Sequence, residues 1–239
     1  MARTVRISPT TAVIVTVAVL ALLNVVDIRV AHASLVVAPV CVAGLVAVAR
    51  LAGLSWQDLG LGPGTWRPGL KWAGVEIAIV GVVLAAGAAL PATREAFRDT
   101  RYRLDWGSAL LTALVLIPIG TVLVEEVAFR GVLWGLLRRV RGTATATVVS
   151  SLLFGLWHVL PSLGLSTSNE AISGTVGGGR SAQTTTVLAT VAFTALSGVV
   201  FCELRRRSGS ILAPAGLHWA TNALSVLASA AVWAWGTPR

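Results

Sequence analysis

Residues 110–137 read LLTALVLIPIGTVLVEEVAFRGVLWGLL. The run is long and apolar enough to span a bilayer as one helix. Glu125, Glu126 and Arg130 interrupt it near its middle. A charge in hydrocarbon is costly, so an intramembrane carboxylate pair marks a functional site by default. This single stretch predicts a membrane helix that carries chemistry.

The rest of the chain agrees with that reading. Its 239 residues are 55% hydrophobic and only 12% charged, with mean hydropathy +0.80. This predicts an all-α, polytopic transmembrane helical bundle, with almost the whole chain in the membrane. The net charge of +9 then reflects arginines beside anionic lipid headgroups, not nucleic-acid binding. Cys41 and Cys202 both fall in apolar text and read as small core residues. Arg3 and Arg6 before an apolar run imitate a signal peptide, but we read a retained first helix.

Hydropathy predicts about seven spans, seven or eight in all, near 11–28, 33–52, 71–90, 108–137, 144–161, 184–204 and 210–235. The arginine-bearing ends Arg3/Arg6, Arg50–Lys71, Arg138/Arg139/Arg141 and Arg205/Arg206/Arg207 then share one side, expected to be cytoplasmic with the N-terminus. Arg94, Arg98, Arg101 and Arg103 oppose that pattern from the other side. The segment 51–70 is turn-rich, with Trp56 and Trp66 as interfacial anchors. The Ser/Thr/Gly-rich 162–183 reads as a linker or a gate.

Further polar groups recur in later apolar segments. His158 closes Phe154-Gly155-Leu156-Trp157-His158, and His218 with Asn222 lie in His218-Trp219-Ala220-Thr221-Asn222. On a helix, Glu126 and Arg130 share a face, as do His218 and Asn222. Glu125 lies about 100° round from Glu126. Each feature has a structural reading by itself: a Glu–Arg clamp, a histidine bonded to a helix carbonyl, an interhelical hydrogen-bond pair. His32, in the first short loop, reads as interfacial. Together, three helices each contribute polar groups that one shared cavity would satisfy.

Two chemistries fit the set. In one, Glu125 and His158 polarise a water that attacks a peptide carbonyl, while His218 and Asn222 donate to the oxyanion. Arg130 neutralises Glu126 as structural support. In the other, Glu125, His158 and His218 hold a divalent metal, most naturally zinc, whose bound water attacks. The spacing leaves both open. Ser150, Ser151 and Ser197 lack a nucleophile motif and are expected to bond their own helices. No pair of intramembrane aspartates exists for an aspartyl mechanism.

Glu125-Glu126-x-x-x-Arg130, then Phe154-x-x-x-His158, then His218-x-x-x-Asn222 resembles the CPBP family of intramembrane proteases, also called Abi. That family includes CAAX prenyl endopeptidases and bacteriocin-processing or immunity proteins. Trp56-x-x-Leu59-Gly60-Leu61 looks like the pre-domain segment of bacterial members, and Ser210-Ile211-Leu212-Ala213-Pro214 is similar to the lead-in to the last motif. The resemblance implies a catalytic Glu125 with His158, His218 and Asn222, and Arg130 as the arginine of the first motif. It implies N-terminal helices over 1–104 and a catalytic membrane core over 105–235. It also implies membrane lipids and a membrane-associated protein or peptide as partners, at a bacterial plasma membrane. A non-catalytic, immunity-type or partner-binding role for the same fold is the alternative, and an ion-coupled transporter a more distant one.

Overall fold

The computed structural model describes residues 7–29 and 34–236; His32 lies outside them. It is helical throughout, with seven long helices among the described residues. These are α1 (Pro9–Arg29), α2 (Ser34–Leu51) and α3 (Trp66–Ala89). A continuous helical stretch, Trp106–Trp157, is broken only at Gly142, whose φ of 81° and ψ of 173° leave the helical region. That break divides it into α4 (106–141) and α5 (143–157). Gly179–Ser208 is α6 and Leu212–Gly236 is α7.

Three helical stretches are long and apolar enough to cross a membrane: Pro63–Ala89, Trp106–Trp157 and Gly179–Ser208. Pro9–Val25 and Leu35–Leu51 are apolar but shorter. Val82, Phe193, Leu196 and Val36 are all about 70% exposed on the bundle exterior, which suits a lipid solvent and not water. The protein is an integral membrane protein.

Most of α4 is π-helical, over Thr112–Val122 and Glu126–Leu133. Pro118 supplies a cause for the first stretch. Proline has no N–H and its ring crowds the carbonyl four residues back. Widening to i→i+5 spacing relieves this, and Leu123 N–H bonds Pro118 O. Such stretches are rare and concentrate at functional sites. The short α-helical turn Leu123–Glu125 lies between the two.

Close approach of small residues holds the helices together, as expected where lipid tails compete with apolar side chains. A Cβ on Gly155 would stand 2.7 Å from Val191 O, and one on Gly198 2.9 Å from Ser151 Cα. These contacts seat α5 on α6. Gly216 against Ala73, and Gly69 against Leu212 and the preceding Ser210, seat α7 on α3.

The segment 52–62 is more than an interfacial turn. Leu54 and Leu59 are buried in the core with Phe129, Leu133, Trp134 and Leu136. Arginines from three helices clamp its carbonyls: Arg50 on Leu54 O at 2.6 Å, Arg139 on Gly53 O at 2.7 Å, and Arg205 on Asp58 O at 2.8 Å. Asp58 itself pairs with Arg138 at 3.4 Å. Desolvation pushes the Asp58 pKa up, but hydrogen bonds from Ser55 and the charges of Arg138 and Arg139 outweigh it, and the value lies below normal.

At the other end, much of 162–183, read from sequence as a linker or a gate, is folded. Leu165–Ser168 and Glu170–Val176 are short helices. Asn169 caps the second through Ala171 and Ile172 N–H, and its amide reaches Ala96 O at 3.2 Å. Asp99 and Asn169 form an isolated bridge, and Thr100 Oγ1 donates to Ser168 O. The arginines that opposed the charge pattern are spent here. Arg101 forks onto Asp99, Arg98 pairs with Glu95, and Arg94 bonds Ala88 O and Ala89 O.

Candidate active site

Glu125 and Glu126 diverge as the helical spacing requires. Glu126 faces inward and is 1% exposed, and Arg130 is wholly buried beside it. Arg130 Nη1 donates to Glu126 Oε1 at 3.1 Å. The guanidinium lies over the Phe154 ring at 3.9 Å and near Phe201 at 4.7 Å. An aromatic face adds up to about 2 kcal/mol to a desolvated cation.

His218, from α7, is wired into the same pair. Its Nδ1 lies 2.8 Å from Glu126 Oε1, and its ring stacks on Phe201 with centroids 5.3 Å apart. A carboxylate only accepts, so Nδ1 carries the proton. The opposite nitrogen, Nε2, then stands 3.8 Å from Glu125 Oε2. Glu126 is therefore a shared acceptor for both Arg130 and His218, a role that residue spacing alone did not show.

Glu125 is 5% exposed. Its Oε1 accepts from the Trp157 indole at 2.9 Å, and its Oε2 is buried with no hydrogen-bond partner among the described residues. Glu125 forms part of the wall of a cavity of roughly 1040 Å³, together with Trp157, His158, Thr121 and Asn222. His218 lies behind this wall. Asn222 makes no hydrogen bond to a described residue and is free to meet a ligand.

His158 is not mid-helix, as its apolar surroundings had suggested. The helix ends at Trp157, and His158 has φ −86° and ψ 0°. Pro161, three residues on, is a normal stop signal. His158 Nδ1 is 2.8 Å from Phe154 O, so Nδ1 donates and a neutral ring presents Nε2 as an acceptor. It makes no ion pair or hydrogen bond with Glu125; the imidazole close to Glu125 is that of His218.

A three-ligand metal centre does not fit this arrangement. Zinc needs its ligands at about 2.0–2.2 Å, yet no three His, Cys, Asp or Glu side chains among the described residues are grouped to hold one ion. Glu125 and His218 form a pair, and His158 stands apart.

Two further residues were not singled out by sequence. Trp157 orients Glu125, and Asn24 of α1 donates to Trp157 O at 2.8 Å, tying the end of α5 down. Trp157 is ordinary in an apolar segment, and Asn24, though polar in apolar text, has no spacing tie to the motifs. The serines also differ from expectation. Ser197 bonds its own helix through Phe193 O, but Ser150 crosses to Phe129 O at 3.0 Å. Cys41 and Cys202 are free thiols, the second buried.

Residues 107–224 match the model of the family described as type II CAAX prenyl endopeptidase Rce1-like. Comparison with curated proteins and with solved structures finds no match. The matched span contains Glu125, Glu126, Arg130, His158, His218 and Asn222. Residues 107–224 of this membrane protein are thus a domain of the Rce1-like family, a protease family with the fold of the CAAX-type intramembrane endopeptidases.

Proposed function

We propose that the protein is an intramembrane endopeptidase in which Glu125 activates the hydrolytic water. The observation that carries this is the half-satisfied carboxylate. Trp157 fixes Oε1, while Oε2 is buried, unpartnered and 3.8 Å from His218 Nε2. A carboxylate held this way can accept a proton from water and return it to the leaving amine.

The other groups divide around it. His158, its Nδ1 committed to Phe154 O, turns Nε2 to the water on the cavity wall. Asn222, on the same wall, supplies a donor to the tetrahedral oxyanion, and His218 stands behind Glu125 with Nε2 3.8 Å from Oε2. Glu126 holds the imidazole as a positioning carboxylate. The substrate is a membrane-associated polypeptide, and the setting a bacterial plasma membrane with the arginine-rich end of the bundle cytoplasmic.

The test begins in cells. A polypeptide that accumulates uncleaved in a Glu125→Ala strain, and that purified wild-type protein cleaves, identifies the substrate. If no polypeptide accumulates, the protein is not acting as an endopeptidase there.

A further inference from the structure

The cavity extends from Glu125 toward one end of the bundle. Its walls include Ala96 to Tyr102 and Leu165 to Val176, the two folded segments at that end. Arg138, Arg139, Arg141 and Arg205 to Arg207 lie at the opposite end, beyond Glu125 along α4 and at the far terminus of α6.

Two rows of polar side chains run along this cavity. Thr186, Thr190 and Thr194 recur every four residues on α6, and Asn222, Ser225 and Ser229 descend one face of α7. Between the α6 threonines, Ala189 and Phe193 add apolar surface to the cavity wall. Ser229 is 2% exposed, and its hydroxyl has no hydrogen-bond partner among the described residues. Thr186, Thr194 and Ser225 donate their protons to carbonyls of their own helices. Each keeps oxygen lone pairs available to accept.

We propose that these rows bind the backbone of an extended polypeptide segment that enters from the end bearing 91–105 and 162–178, the extracytoplasmic side. This deepens the endopeptidase reading and rests on it for the fate of the segment. A peptide bond is open to attack only once its helix has unwound, which frees backbone N–H and C=O groups that lipid cannot satisfy. Positions four apart on a helix lie about 6 Å apart along its axis. Alternate residues of an extended chain repeat every ~6.6 Å. The hydroxyl oxygens can therefore accept from successive N–H groups on one edge of the segment. The Asn222 amide and the Ser229 hydroxyl are donors for its carbonyls. Recognition of this kind reads backbone, not sequence.

The experiment uses the full chain with Cys41→Ala, Cys202→Ala and Glu125→Gln, so that nothing is cleaved. Thr190→Cys is labelled with a charged, membrane-impermeant maleimide, with Arg141→Cys marking the opposite end and Leu188→Cys the lipid face. In intact cells Thr190→Cys is expected to label, and Arg141→Cys only in inverted vesicles. In detergent, a blocked ten-residue Leu-Ser repeat peptide should slow labelling of Thr190→Cys about tenfold at ten times its Kd. It should leave Leu188→Cys unchanged, and protection should vanish with Ser225→Ala plus Ser229→Ala. The same peptide with alternate N-methylated backbone should not protect. Labelling only from the Arg141 side, equal protection by both peptides, or none by either overturns the proposal. Because no turnover is read, these outcomes are independent of whether Glu125 hydrolyses anything.

Discussion

His218 Nδ1 bonds Glu126 Oε1 at 2.8 Å, joining the first and last motifs of the chain across 92 residues of sequence. The same oxygen accepts from Arg130. Glu126 is thereby the hinge between a structural ion pair and the imidazole beside Glu125. If so, Glu126→Gln and His218→Gln should be strongly non-additive in activity, because either change breaks the same connection. A coupling energy of about 0.5–3 kcal/mol is expected. It would be read from a double-mutant cycle on the cleaved polypeptide; additive losses would show that the bond does not matter to turnover.

Trp157 supplies the hydrogen bond that orients Glu125. Trp157→Phe keeps an aromatic body and removes the N–H. A hydrogen bond to a charged group is worth about 1.5–3 kcal/mol, so the rate should drop roughly 10–100-fold. Folded yield should be nearly unchanged. Unaltered kcat in a Trp157→Phe enzyme would show that the indole is packing only.

Arg130 carries a buried charge matched to Glu126 and covered by Phe154 and Phe201. Arg130→Ala leaves Glu126 facing only His218, and breaking a buried pair costs about 3–5 kcal/mol. The expected result is a large loss of monodisperse protein in detergent. Arg130→Lys should be intermediate, since lysine keeps the charge but not the planar stacking.

Gly198→Val tests the packing of α5 on α6. The added Cβ alone would lie 2.9 Å from Ser151 Cα, and overpacking typically costs about 1–3 kcal/mol. Thermal unfolding in detergent should shift to lower temperature, whereas Gly174→Val, where a Cβ meets nothing within 4 Å, should not shift it through packing.

The sequence announced the site through contrast. Glu125, Glu126, Arg130, His158, His218 and Asn222 stand out because each is polar in apolar text. Helical spacing also put Glu126 and Arg130 on one face. Other features are harder to read. Trp157 carries no polar contrast, and Asn24, although polar in apolar text, has no spacing tie to a motif; no periodicity encodes a partner 32 or 133 residues away. The double role of Glu126 depends on where α7 docks. The first π-helical stretch of α4 arises from backbone adjustment around Pro118, which the hydropathy of the run does not reveal. Segment 91–105 is charged and 162–178 is Ser/Thr/Gly-rich, and neither pattern shows that Asp99, Asn169 and Trp233 bring them together.

The central claim is that the free oxygen of Glu125 takes a proton from water. Glu125→Gln is nearly isosteric and can still accept the Trp157 N–H, so the fold should persist; its uncharged amide cannot act as the base. The decisive measurement is single-turnover cleavage of the accumulating polypeptide by purified Glu125→Gln protein beside Asn222→Ala. The account predicts no detectable cleavage for the first. For the second it predicts a loss of about 10²–10³, the usual effect of removing one oxyanion donor. Near-wild-type turnover by folded Glu125→Gln protein would contradict it.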